Sequence, residues 1–368
     1  MTTQRRGFLT KAGASIAAGA GAILASPAIH AQTVPTVKWR LSSSFPKTLD
    51  TIYGAAEDVA TKVAEITGGK FIIEVNPAGV LGKPLETLDA VRNGEVECTH
   101  TAPYYFHSKD PVISMGGAIP FGMNSRLKTA WYHDGNGKKL LDEYYGQKWN
   151  VVGIPAGNTG TQMGGWFKKE FKTLEDIKGM KMRISGFGGD VLKRLGGVPT
   201  QIAATEILTS LESGKIDGAE WIGPYDDERL GLQKVAPFYY YPGWWEGSLQ
   251  IMLFINLKAY GALTPEFKSA LEAACAWAHV RMQAKYDSRN GDALQRLIKS
   301  GSKPRPMPQA IMDAAYRSTQ EIYAELGKVN PWWAKIYPDY NAFQKQGVAW
   351  FRYSENTFDN YMSRQLVR

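Results

Sequence analysis

The stretch GAEWIGPYDDE, residues 218–228, crowds Glu220, Asp226, Asp227 and Glu228 around Trp221 and Tyr225. Carboxylates at that density move protons, hold a cation, or stand as charge at a helix start. Proton work needs a partner of matched acidity, and the rest of the chain offers little for catalysis. It holds no Gly-x-Ser-x-Gly elbow, no His-Glu-x-x-His and no Cys-x-x-Cys. His100, His107, His133 and His279 share no metal-ligand spacing and read as surface or hydrogen-bonded core residues. Gly186-Phe187-Gly188-Gly189 opens like a dinucleotide loop, but its sixth position is Val191. An exported carboxylate-acting enzyme with Glu220 as base is therefore the secondary reading, and the chain is read as a binder.

Gln162, Arg183 and Glu220 each fall at or just past the end of a predicted strand, where open α/β sheets bind ligands. In 180–184 the alternate residues Met180, Met182 and Ile184 make a buried face and leave Arg183 on the other side. Its guanidinium fork suits a carboxylate, although a structural ion pair would use the same residue. Glu220 beside a bound organic anion would repel it unless a proton or a cation neutralises the charge. Gln162 Oε1, Glu220, the Trp221 carbonyl and Glu246 are oxygen donors of the type hard cations take. Asp226, Asp227 and Glu228 fit the remaining role, acids in the first turn of a helix.

Strands alternate with helices in the elements that must position these groups. Residues 37–41 alternate like a strand, 49–66 read as a helix, 71–75 as a strand, and a helix from Pro84 stops at Gly94. Residues 88–97 are echoed at 208–217 as helix end, glycine stop and short strand, each running into an aromatic loop: Tyr104 and Tyr105 in one, Trp221 and Tyr225 in the other. The pattern predicts an α/β fold of two lobes, each a mostly parallel sheet flanked by helices. Lobe 1 is placed at 32–148, lobe 2 at 149–260 and a helical region bracing both at 261–368, with its last helix interrupted at Gly347. No low-complexity linker separates the lobes, so the chain is expected to cross between them more than once.

Arg5 and Arg6, an apolar run from Ala12 to Ala25 and Ala-Ile-His-Ala up to Ala31 read as a twin-arginine leader, residues 1–31, and hence a periplasmic protein. That run is too short to span a membrane. Loss of Arg5, Arg6 and Lys11 lowers the formal charge of +8 to +5. The remaining basic residues form no run that would track a phosphate backbone, so nucleic acid is not an expected partner. Cys98 and Cys275 could pair in an oxidising compartment, or stand as two buried thiols.

The residues 40–47, 157–167, 181–183, 220–228 and 241–247, in that order, resemble the solute-binding proteins of tripartite ATP-independent periplasmic (TRAP) transporters, and most of all the members that take 2-oxo acids such as pyruvate. The resemblance implies lobes that close on a ligand by a hinge and a receptor that passes it to membrane subunits, without catalysis. It also implies that Arg183 holds the substrate carboxylate, with Asn158 and Tyr104 lining the cleft. Gln162, Glu220, the Trp221 carbonyl and Glu246 would hold sodium or calcium, and Trp221 and Tyr225 would wall the pocket. A homodimer through a swapped C-terminal helix is a further implication. Lactate, a dicarboxylate or a sugar acid is the alternative ligand.

Overall fold

The computed structural model describes residues 36–366; the expected leader lies outside the described residues. Among the described residues eleven strands form two sheets. In chain order they are β1 (Val37–Ser43), β2 (Phe71–Asn76), β3 (Cys98–Thr101), β4 (Val151–Asn158), β5 (Gly165–Phe167), β6 (Lys181–Arg183), β7 (Val198–Thr200), β8 (Gly218–Ala219), β9 (Phe238–Tyr241), β10 (Gln250–Asn256) and β11 (Lys303–Pro306). The first sheet has the order β2-β1-β3-β10-β4 and the second β11-β9-β5-β8-β6-β7.

Both sheets are mixed, each with a parallel part built by helical crossovers. In the first, β1 pairs in parallel with β2 and β3, while β10 runs antiparallel between β3 and β4. In the second, β6 pairs in parallel with β7 and β8, and β5 is antiparallel to β8 and β9. Helix Ile52–Ile66 covers the first sheet with Ala56, Val59 and Val63, the spacing of one helical face. Helix Thr87–Asn93 ends where Gly94 turns left-handed at φ 76°, which an L side chain would resist.

The pairing of β4 corrects the expected start of the second lobe at 149. Val151–Asn158 lies in the first sheet against β10, with Leu253 opposite Ile154, and the second sheet begins only at Gly165. The chain thus crosses between sheets at 159–164 and returns at 242–249. These two crossovers bond to each other: Thr159 N to Leu249 O at 3.0 Å, Gln162 N to Glu246 O at 3.3 Å and Gly243 N to Gln162 O at 3.0 Å.

Helix Pro265–Lys299, 35 residues and so about 50 Å long, runs past both sheets. Leu271, Ala274, Cys275 and Ala278 pack in the first lobe's core, and Tyr286 donates to Asp226 of the second at 2.7 Å. Cys98 and Cys275 are free thiols within that same core. Helix Pro331–Tyr353 continues through Gly347 instead of breaking there, and the break falls at Ser354, before helix Glu355–Leu366. Gly347 serves close packing: a Cβ there would lie 2.3 Å from Leu127 Cδ2.

Candidate functional site

Strand register brings the predicted residues together. Arg183 ends β6 opposite Ala219 of β8, so Glu220 and Trp221 emerge beside it. The equivalent point of the first lobe, just past β3, carries Tyr104 and Tyr105 in a 3-10 turn over Pro103–Phe106. Gly94 and Gly214, with φ 76° and 74°, stop the helices before β3 and β8, so the sequence echo is also a structural one. Asn158 ends β4, and Gln162 and Glu246 lie on the paired crossovers. None of Tyr104, Asn158, Gln162, Arg183, Glu220, Trp221 and Glu246 is more than 5% exposed.

Arg183 is held on three sides. Its Nε donates to Ile202 O at 3.1 Å, and Nη1 donates to Glu220 O at 2.9 Å and to Glu220 Oε1. The Trp221 ring lies 5.0 Å from the guanidinium carbon, and Tyr105 of the first lobe stands near enough for the charge of Arg183 to act on its hydroxyl. The structural ion pair and the ligand-facing role therefore coexist. Nη2 has no partner among the described residues, so the whole fork is not on offer as expected; one amino group is.

The electrostatics ask for positive charge. Burial pushes Glu220 up to about 7, against the pull of Arg183 and helped by the charge of Asp227. Burial, then the charge of Glu220, hold Glu246 well above the carboxylate range, opposed by the Tyr104 hydroxyl, Arg183 and the Gln162 amide. Among the described residues two sets of buried side-chain atoms at the site lack a partner. The oxygens include Gln162 Oε1, Glu220 Oε2 and Glu246 Oε2; the donors include Arg183 Nη2 and Asn158 Nδ2. Buried polar atoms are ordinarily bonded, so such a concentration marks a place for something else. Three acceptor oxygens, two of them carboxylate, fit a hard cation. The two donors fit an anion.

Sequence reading missed Tyr105, which looks like an ordinary core aromatic. The acids at the helix start have a fuller role than first-turn charge. Helix Pro224–Leu230 does carry Asp226 and Asp227 in its first turn, but both are wholly buried, and Glu228 pairs with Arg296 at 2.6 Å. Asp227 accepts four hydrogen bonds: from Ile222 N and Gly223 N at 3.1 Å, Trp166 Nε1 at 2.9 Å and the Tyr239 hydroxyl at 2.8 Å. It fixes the loop that presents Glu220 and Trp221. Asp227→Ala would strand four buried donors and is expected to cost at least about 3 kcal/mol of stability in urea unfolding, with Asp227→Asn costing less.

Two α/β lobes joined by paired crossovers, closed over a buried polar site, define a periplasmic-type solute-binding protein. The chain belongs to the bacterial extracellular solute-binding proteins of family 7 (DctP), whose profile matches residues 42–329, and it is a TRAP solute-binding protein. It is 44% identical over 330 residues, 90% of each chain, to a monocarboxylate 2-oxoacid-binding periplasmic protein of Nostoc sp.. A TRAP solute-binding protein of Bordetella bronchiseptica is 47% identical, with a TM-score of 0.89 over 91% of this chain and 99% of that one; it is a mixed-occupancy dimer, one active site holding copurified calcium and picolinate and the other apo. A third, from Pseudoalteromonas atlantica, holds sodium and pyruvate and is 35% identical, with a TM-score of 0.85 over 88% and 99% of the two chains.

Proposed function

We propose that this protein captures a short monocarboxylic 2-oxo acid, pyruvate or a longer homologue, together with sodium or calcium, and delivers it to the membrane subunits of its transporter. The observation that carries this is the pairing of unpartnered oxygens with unpartnered donors in one closed site. The chemistry of relatives supports it: a 2-oxoacid binder at 44% identity, and neighbours holding pyruvate with sodium or picolinate with calcium.

Arg183 Nη2 meets the substrate carboxylate, and Asn158 Nδ2 orients it. Gln162 Oε1, Glu220, Glu246 and the Trp221 carbonyl hold the cation, and Tyr104 lines the cleft against Glu246. A bound cation would supply positive charge against the buried carboxylates and the acid. Glu220, bonded to Arg183 Nη1, keeps Oε2 free for such a cation, while Arg183 keeps Nη2 free for the acid. Because a buried ion pair is costly to break when either partner is left uncompensated, acid and cation bind as a unit. Contacts between the lobes favour the closed form, among them Gln201 Nε2 donating to Tyr105 O at 3.0 Å.

A dicarboxylate is less well matched. The buried cationic side chains among the described residues are Arg183 and Lys128, and Lys128 lies elsewhere, bonded to Met115 O between Trp131 and Tyr340. A second carboxylate would find no counter-charge. The proposal extends to export by the leader carrying Arg5 and Arg6, and to a dimer through helix Glu355–Leu366, which buries no side chain and exposes Phe358, Tyr361 and Leu366.

A thermal-shift panel on dialysed protein tests the ligand: pyruvate, 2-oxobutyrate, branched 2-oxo acids, lactate and succinate, each with and without sodium or calcium. Acid at a hundred times its dissociation constant is expected to stabilise the fold by about 2.7 kcal/mol, for 2-oxo acids and only with a cation. A response to succinate or lactate alone would discard the substrate.

A further inference from the structure

We propose that Tyr225 and Arg229 form a latch that holds the lobes shut by engaging Thr48 and Asp50 across the outer edge of the cleft. The inference rests on two-lobe closure, not on the identity of the acid. Thr48 to Thr51 precede helix Ile52–Ile66 on the first lobe, whereas Tyr225 and Arg229 lie on helix Pro224–Leu230 of the second. The Tyr225 hydroxyl donates to Asp50 Oδ1 at 3.1 Å and lies 3.3 Å from Oδ2. Arg229 Nε donates to Thr48 O at 3.0 Å, and Nη1 donates to the Tyr225 hydroxyl at 3.2 Å. Tyr225 is therefore not the pocket wall expected of it.

The parts are arranged as a clamp. Arg289, on the long helix, donates to Asp50 Oδ2 at 3.3 Å and to Thr51 Oγ1 at 3.0 Å, which fixes the Asp50 carboxylate as a receiver. The Tyr225 ring has Arg229 and Arg289 at 5.3 and 4.9 Å from its centroid, and its backbone N–H is held by Asn290 Oδ1 at 3.0 Å. Arg289 links the long helix to the first lobe; Tyr225 and Arg229 make the lobe-to-lobe contacts. The same short helix that bears them carries Asp227, which fixes the Glu220–Trp221 loop. Closure at the edge and order at the site thus share one rigid piece.

Asp50, Arg229 and Arg289 have side chains 44, 40 and 35% exposed, so each ion pair alone is weak, and the linked set sets the closed fraction by a modest factor. Tyr225→Phe keeps the ring between its two arginines and deletes the hydroxyl; Arg229→Gln deletes the charge. Spin labels at Lys83 on the first lobe and Lys215 on the second, both exposed, report lobe separation. In acid-free protein each variant is expected to lower the closed-to-open ratio about fivefold. With pyruvate and calcium, release is expected to quicken about fivefold while association stays within twofold. Unchanged ratios and release rates in both variants would overturn the latch. If the parent protein ignores pyruvate, the acid-free ratios still decide the latch, and only the substrate reading falls.

Discussion

Arg183→Met is expected to weaken pyruvate binding by at least about a hundredfold, about 2.8 kcal/mol, in calorimetry with calcium present. A hydrogen bond to a charged group contributes about 1.5–3 kcal/mol, and here the lost donor is also the positive side chain that faces the acid. The substitution removes the partner of a buried carboxylate as well, since Arg183 Nη1 serves both Glu220 O and Glu220 Oε1. Breaking such a pair from one side costs about 3–5 kcal/mol, so lost binding could reflect a loosened fold. Urea unfolding of Arg183→Met without ligand separates the two effects: a variant that stays folded under the calorimetry conditions and still fails to bind has lost the acid's partner rather than its fold. Arg183→Lys is expected to fail too, because an ammonium cannot span Ile202 O, Glu220 O and a ligand in one plane. Acid affinity that survives Arg183→Met would place the carboxylate elsewhere.

Much of this site was legible because its residues sit where chain order predicts. Arg183 and Glu220 follow strand ends, and ligands in open sheets bind beyond those ends whatever the sequence between. Asp227 was legible as a helix-start acid but not as a buried clasp, because Trp166 and Tyr239 reach it from β5 and β9, and only sheet order makes those strands neighbours. The same limit moved β4. An apolar run such as Val151 to Ile154 satisfies any buried strand, and nothing local says which sheet receives it. Tyr105 escaped notice because a buried aromatic is usually core, and its polar atom matters only once burial is known. Gly347 misled in the opposite direction. Its missing side chain answers a neighbour, Leu127, rather than a helix end.

The charge count at the site leads to the second large effect, in Glu246→Gln. Arg183 offsets one of the two buried carboxylates, and a bound acid adds a negative charge. With both carboxylates ionised, two negative charges remain, which calcium cancels; with Glu246 neutral one remains, which sodium cancels. Burial and the charge of Glu220 both favour the neutral form of Glu246 when no cation is bound. Glutamine keeps the shape and the acceptor oxygen, and fixes the neutral state. An excess charge about 4 Å away at an effective dielectric of 20 weighs about 4 kcal/mol, so even partial expression of it is large. The expected result is that the ratio of pyruvate affinity in calcium to that in sodium, measured on chelator-treated protein, falls at least about tenfold in Glu246→Gln, while Gln162→Ala weakens binding with either cation. An unchanged ratio would mean that Glu246 lies outside the cation's reach, and that Glu220 alone sets the charge against which the acid is bound.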